Sequence, residues 1–232
     1  MATKKLADHI YSVGVLNPGL RVFDIIMESP YGSSYNAYLI TGQKNVLIDT
    51  VHADFFEEYL ENIQSLIDVS EIDYLIMNHT EPDHSGSVAK LLALNPNIEI
   101  YCTMAAKKYI TAIANQEFRF HVVKSGEILD LGDRSLQFIV APLLHWPDSM
   151  FTWDETSGLL FTCDFLGTHF CEPTLVDTNM HYREKYLEQA RHYYECIFGP
   201  FKPYVISGLD KIKDLPVRMV CTSHGPCLVQ GI

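Results

Sequence analysis

Ile72-Asp73-Tyr74-Leu75-Ile76-Met77-Asn78-His79-Thr80-Glu81-Pro82-Asp83-His84 is the stretch whose reading decides the fold. Its first half, Ile72 to Met77, is a short apolar run that reads as a buried strand. Directly behind it stand four side chains able to hold a metal ion: His79, Glu81, Asp83 and His84. On an extended turn, side chains from alternate positions point one way, and the next helix starts at once behind them. A solvated polar loop has no reason to be repeated in this relation to strands. Yet three more residues of ligand type, His145, Asp164 and His224, each follow a later predicted strand. Loops at strand ends are where a rigid scaffold places chemistry.

Outward from that stretch the elements alternate. Tyr35 to Ile40 and Asn45 to Asp49 read as strands joined by a hairpin turn at Thr41-Gly42-Gln43-Lys44. Ala53 to Ile67 has helical spacing of its apolar residues. A helix from Ser85 to Leu94 ends at Asn95-Pro96-Asn97, followed by a strand at Ile98 to Tyr101 and a helix from Ala105 to Asn115. The second half repeats the pattern. Ser135 to Ala141 leads to His145, Gly158 to Cys163 leads to Asp164, and Val217 to Cys221 leads to His224. Amphipathic helices are expected over Tyr182 to Phe198 and Tyr204 to Leu215. No Gly-, Ser- or Pro-rich linker divides the chain. We therefore expect one domain over residues 1–232, of α/β class, with two sheets packed between helical layers.

Composition bounds the function. Forty-seven per cent of the chain is apolar, enough for a substantial core. The formal charge of −12 and the absence of a basic run argue against nucleic-acid binding. No apolar run is long enough for a membrane span, and the N-terminus from Met1 to His9 lacks the apolar stretch of a signal peptide. A cytoplasmic location is expected. The six cysteines form no C-x-x-C pair and read as reduced residues, mostly of the core.

The seven candidate ligands are four imidazoles and three carboxylates, without thiolate. Imidazole serves zinc, iron and copper, and added carboxylate moves preference toward harder, redox-active ions such as iron and manganese. Asp164 is the natural bridge, since one carboxylate can reach two metals. The other six divide evenly into two histidines and one carboxylate per ion. Two ions roughly 3.5 Å apart can both contact a small diatomic ligand.

The order strand, H-x-E-x-D-H, His, Asp, His resembles the metallo-β-lactamase superfamily. Glu81, in place of that superfamily's usual second histidine, resembles the flavodiiron protein branch. So do His145-Trp146-Pro147-Asp148-Ser149-Met150 and Ser223-His224-Gly225-Pro226, while Leu47-Ile48-Asp49-Thr50 matches the superfamily's early strand. The resemblance implies an αββα sandwich with a pair of non-haem iron ions, bridged by oxo, hydroxo or peroxo oxygen. It assigns His79, Glu81 and His145 to the first iron, Asp83, His84 and His224 to the second, and Asp164 to both. It also implies a head-to-tail homodimer. One departure is large. Flavodiiron proteins continue into a flavodoxin-like domain that binds FMN. This chain stops eight residues after His224 and has no FMN phosphate loop, so no FMN is expected within it.

Around the site, the resemblance marks the region of Tyr193 and Tyr194 as one that can supply a hydrogen bond to a bound ligand, and His169 is a further second-layer candidate. His9, His52, His121, His181 and His192 read as structural, Trp146 and Trp153 as shielding walls. Asp49, Asp148 and Asp154 are candidates to orient ligand histidines. Three functions follow. A diiron site could bind and report O2, working with a signalling partner. It could reduce O2 to water or NO to N2O, with electrons from a separate flavoprotein or rubredoxin. The least favoured reading is a zinc hydrolase.

Overall fold

The computed structural model describes residues 3–230, so Met1, Ala2, Gly231 and Ile232 lie outside it. Its main sheet has seven strands in the spatial order Lys4–Ala7, Ile10–Ser12, Tyr38–Ile40, Val46–Ile48, Tyr74–Ile76, Glu99–Cys102 and Arg119–Val122. Neighbours are antiparallel as far as Val46–Ile48 and parallel from there on. A second sheet of five strands runs Ile128–Asp130, Ser135–Val140, Met150–Asp154, Leu159–Cys163 and Met219–Thr222, and only its last pair is parallel.

Strand alternation builds three apolar layers. Tyr38, Ile40, Val46, Ile48 and Ile76 point inward and meet Leu136, Phe138, Leu159 and Phe161 of the other sheet. Their neighbours Leu39, Leu47 and Leu75 point outward, onto Phe56, Tyr59, Ile63, Leu91 and Ile110 of the helices Phe56–Gln64, Val88–Leu94 and Met104–Ala114. On the far side Phe151, Trp153 and Leu160 pack against Tyr193, Phe198, Val205 and Ile212. Helices, sheet, sheet, helices is the expected αββα order. No helix among the described residues is long and apolar enough to cross a membrane.

Three local departures from the expected elements matter for the site. The strand expected over Tyr35 to Ile40 breaks at Asn36. Ser33–Tyr35 pairs with Val15–Asn17, while Tyr38–Ile40 joins the main sheet. The break frees Asn36 to donate from its backbone to Ser223 O and from its amide to Thr222 O and Gly225 O. A short hairpin, Val22–Phe23 with Met27–Glu28, had no sequence signal beyond a few apolar residues. The expected helix Tyr182 to Phe198 is an α-helix only over Arg183–Tyr193, and continues as a π-turn over Tyr194–Phe198.

Candidate metal centre

The strand Tyr74–Ile76 delivers the first four residues of the site. Asn78 N–H donates to Asp49 Oδ1 at 2.8 Å, extending the chain past the strand end. Pro82 then opens a single helical turn, Pro82–Ser85, with Glu81 at its N-cap. A proline suits that position because its missing N–H would have no partner there. The turn is tied down from both sides. Ser85 Oγ donates to Thr80 O and Glu81 O, and Thr50 donates from N and Oγ1 to His84 O at 2.9 and 2.6 Å. Asp164 follows Cys163, whose backbone is left-handed (φ 52°) and turns the chain out of the strand Leu159–Cys163. Such a conformation costs energy in a non-glycine residue and is concentrated at functional sites. His224 is held by the Asn36 clamp.

The structure brings all seven expected residues together, and all but His145 are buried. They form two adjoining sets. Ligand-type atoms of His79, Glu81, His145 and Asp164 lie within 4.8 Å of one another, as do those of Asp83, His84 and His224. Asp164 spans the sets. Its Oδ2 is 3.4 Å from His79 Nε2 and 3.2 Å from His145 Nε2, and its Oδ1 is 2.9 Å from His84 Nε2 and 3.2 Å from His224 Nε2. Glu81 Oε2 faces His79 and His145 at 3.5 and 3.2 Å, and Asp83 Oδ2 faces His224 at 3.1 Å. Cys163 also comes near His84 and Asp164, but burial pushes its thiol well above the usual range, which disfavours the thiolate a metal would need.

The remaining ring nitrogens set the tautomers. His224 Nδ1 donates to Ser34 O at 2.7 Å, and His79 Nδ1 donates to the Asp148 carboxylate at 3.2 Å, leaving each Nε2 turned to the cluster. Of the three aspartates considered for such a role, Asp148 takes it. It also accepts from Thr80 N and Oγ1 at 2.8 and 2.6 Å. Asp49 instead anchors Asn78, and Asp154 pairs with Arg134 at 3.0 Å in another part of the sheet.

Electrostatics call for cations here. Asp49, Glu81, Asp83, Asp148 and Asp164 are buried together, and no lysine or arginine among the described residues pairs with any of them. Unpaired buried carboxylates are costly. Without a metal, protons on the histidines must offset them. Burial works against charged imidazoles, yet Asp164 and Glu81 raise His145 to about 9, and Asp164 and Asp83 raise His224 to about 10. Burial likewise opposes ionisation of Glu81, but the facing imidazoles of His145 and His79 bring it down to about 2. Even so His79 Nε2 and both Asp83 oxygens have no hydrogen-bond partner. Orphaned donors, clustered charge and a nitrogen–oxygen set all fit a pair of metal ions.

The surrounding residues divide. His169 is buried, with Nδ1 2.7 Å from Ser33 Oγ and its ring 4.3 Å from that of His224. Tyr193 is buried edge-on to His169 at 5.1 Å. Tyr194 is 38% exposed and lines, beside Tyr193, a cleft at the protein surface. The π-turn explains the split: i→i+5 bonding stacks Tyr193 over Phe198, so both face inward with rings 6.0 Å apart, and Tyr194 turns away. Trp146 stands edge-on to His79 at 5.2 Å as a wall, whereas Trp153 sits in the outer core away from that role. Two neighbours were not anticipated, both on the Val22–Phe23 hairpin. Phe23 packs on His169 at 4.4 Å. Asp24 hydrogen-bonds Glu81, and burial, with the charge of Glu81, raises it to about 6. A lone aspartate between Phe23 and Ile25-Ile26 was the one signal available. His9, His52, His121, His181 and His192 stay outside the cluster.

Fold and site together define a metallo-β-lactamase-like αββα protein with two adjoining ligand sets at its strand ends. The family model described as ODP family beta lactamase matches residues 34–225. Flavo-diiron protein FprA2 of Clostridium acetobutylicum is 56% identical, over 99% of this chain and 58% of that protein. Anaerobic nitric oxide reductase flavorubredoxin of Citrobacter koseri is 44% identical, over 84% of this chain and 41% of that protein. Among solved structures, rubredoxin oxygen:oxidoreductase from Desulfovibrio gigas is similar with a TM-score of 0.93 and 30% identity, covering 97% of this chain and 57% of that one. The chain belongs to the flavodiiron family, and spans 58% or less of the length of these three relatives.

Proposed function

We propose that the seven clustered residues hold two iron ions and that the resulting centre binds and reduces a neutral diatomic gas, O2 or NO. The observation that carries this reading is Asp164, one carboxylate with an oxygen turned to each ligand set. When bound, ferrous ions supply electrons and open coordination positions for the gas.

The chain's own residues do the rest. Asp148 and Ser34 O hold His79 and His224 in the tautomer that presents Nε2. Burial, together with the nearby carboxylates, holds the Tyr193 phenol well above its usual value, so it keeps a proton beside the cluster. Burial and the neighbouring His224 keep His169 neutral. Reduction of either gas consumes protons, and Tyr193 is placed to hold one next to the reacting atoms. Phe23, Trp146 and Phe198 exclude water around the histidines.

Gas binding is common to the sensor and reductase readings. The names of the relatives, an oxygen oxidoreductase and a nitric oxide reductase, weigh for reduction, with electrons arriving from a flavin or rubredoxin donor. The test is anaerobic loading with ferrous ion, then O2 in the presence of a reductant. Sustained O2 uptake supports reduction. A long-lived coloured adduct without turnover moves the function to sensing. No reaction with O2 or NO overturns the proposal and returns attention to a zinc hydrolase.

A further inference from the structure

The cluster has two unlike flanks. On one side the hairpin Val22–Phe23 with Met27–Glu28 covers it, with Phe23 on His169 and Asp24 against Glu81. On the other, behind Tyr193, lies a cleft of about 480 Å3 between the helices Arg183–Tyr193 and Lys202–Ile212. Its sides include Leu166, Leu187, Ala190 and Leu209, together with the charged Asp177 and Arg183.

Its floor is the notable part. Tyr193, Phe198 and Phe165 line the cleft and also form the back wall of the metal site. Tyr193 lies 6.1 Å from the His224 ring, Phe198 stands edge-on to His145 at 6.0 Å, and Phe165, next in sequence to Asp164, packs on Phe198 at 5.6 Å. One layer of aromatic side chains therefore separates the cleft from the ligand cluster. A polar substrate would need convergent polar partners, and this floor offers none but the Tyr193 phenol. Small apolar species need no such partners, and apolar cavities take up xenon and similar probes.

We propose that this cleft is a docking and access site for the neutral diatomic gas, which crosses the Tyr193–Phe198–Phe165 layer to reach the centre. Gas thus arrives through the cleft rather than past the hairpin that carries Phe23. The inference rests on the function proposed above, so its test has one arm that needs no iron.

The first arm pressurises metal-free crystals with xenon. Wild-type protein shows xenon between Leu166, Ala190 and Phe198, and the Ala190→Trp variant shows none. Leu209→Trp plugs the cleft from the opposite lip and serves if the first variant folds poorly. The second arm mixes ferrous-loaded protein with O2 in a stopped-flow instrument. Either plug lowers the second-order rate by about tenfold, the effect of a barrier raised by about 1.4 kcal/mol, with the ferrous spectrum unchanged. Absence of xenon from the wild-type cleft overturns the proposal. So does an unchanged rate in a variant that excludes xenon. A cleft covered by a second copy of the chain gives a concentration-dependent mass and no xenon peak, and overturns it too. A protein unreactive to both gases overturns the reading of the centre and the route with it, whereas a reactive protein indifferent to the plugs overturns the route alone.

Discussion

Replacing Asp148 by asparagine tests how much the cluster depends on a residue outside it. Asp148 is fully buried and faces His79 Nδ1 with both oxygens at 3.2 Å, while one oxygen also accepts from Thr80 N and Oγ1 at 2.8 and 2.6 Å. Asparagine keeps the shape and one acceptor. It places an amide N–H where a carboxylate oxygen accepted, so either Thr80 or His79 loses its partner. The negative charge that strengthens His79 as a donor to a metal also disappears. Loss of such a partner typically costs 10–100-fold in metal affinity, about 1.4–2.8 kcal/mol. The loss should fall on the ion held by His79, Glu81 and His145. The His224 ring has a separate anchor in Ser34 O, and His84 is held apart from Asp148 through its backbone carbonyl, which accepts from Thr50. Anaerobic competition with a colorimetric ferrous chelator resolves two binding steps and reads each affinity. One weakened step beside one unchanged step is the expected result. Equal weakening of both steps, or none, refutes the reasoning.

Metal loading at pH 7 should release more than two protons, because nearby carboxylates raise His145 to about 9 and His224 to about 10 and also hold His79 well above its usual value, so all three are protonated there in the metal-free chain. Calorimetry in buffers of different ionisation enthalpy measures the number, which should fall as the pH rises through 9 to 10. The same raised values mean that these pairs stabilise the metal-free fold fully below the unfolded histidine value of about 6.5, and that this stability is lost as pH rises through 9 to 10. Gly14→Ala puts a Cβ 2.3 Å from Tyr35 O and 2.7 Å from Asn36 Cα, all rigid backbone. We expect a loss of about 1–3 kcal/mol in thermal unfolding, with weaker binding at the His224 side because Asn36 clamps that loop. Tyr193→Phe should leave iron content unchanged and slow gas reduction by about tenfold or more, whereas Tyr194→Phe should change neither quantity.

Much of the site was readable because its residues follow strands. A buried strand ends where its hydrogen-bonding stops, and four strand ends on one edge of two stacked sheets converge in space. That is why His79, His145, Asp164 and His224 could be grouped from sequence alone. The αββα order was readable for a related reason: runs such as Tyr38-Leu39-Ile40 are buried on both faces and need partners on both. What escaped lacked a period. The hairpin carrying Phe23 and Asp24 has strands of two residues each, too short for alternation to register. The break at Asn36 interrupts what reads as one continuous strand, and only its bonds to the His224 loop explain it. Tyr193 and Tyr194 could not be told apart, since an α-helical spacing does not anticipate the π-turn that follows Tyr193. Asp49, Asp148 and Asp154 are alike in sequence terms, and only three-dimensional contact assigns Asp148 to His79.

The central claim is that these seven residues hold two ions sharing Asp164. Diffraction from ferrous-loaded crystals, with anomalous data collected at the iron absorption edge, tests it most directly. Two iron peaks are expected, one bound by His79, Glu81 and His145, the other by Asp83, His84 and His224, with an oxygen of Asp164 on each. A single peak, a Cys163 thiolate among the ligands, or an Asp164 that touches only one ion would contradict it.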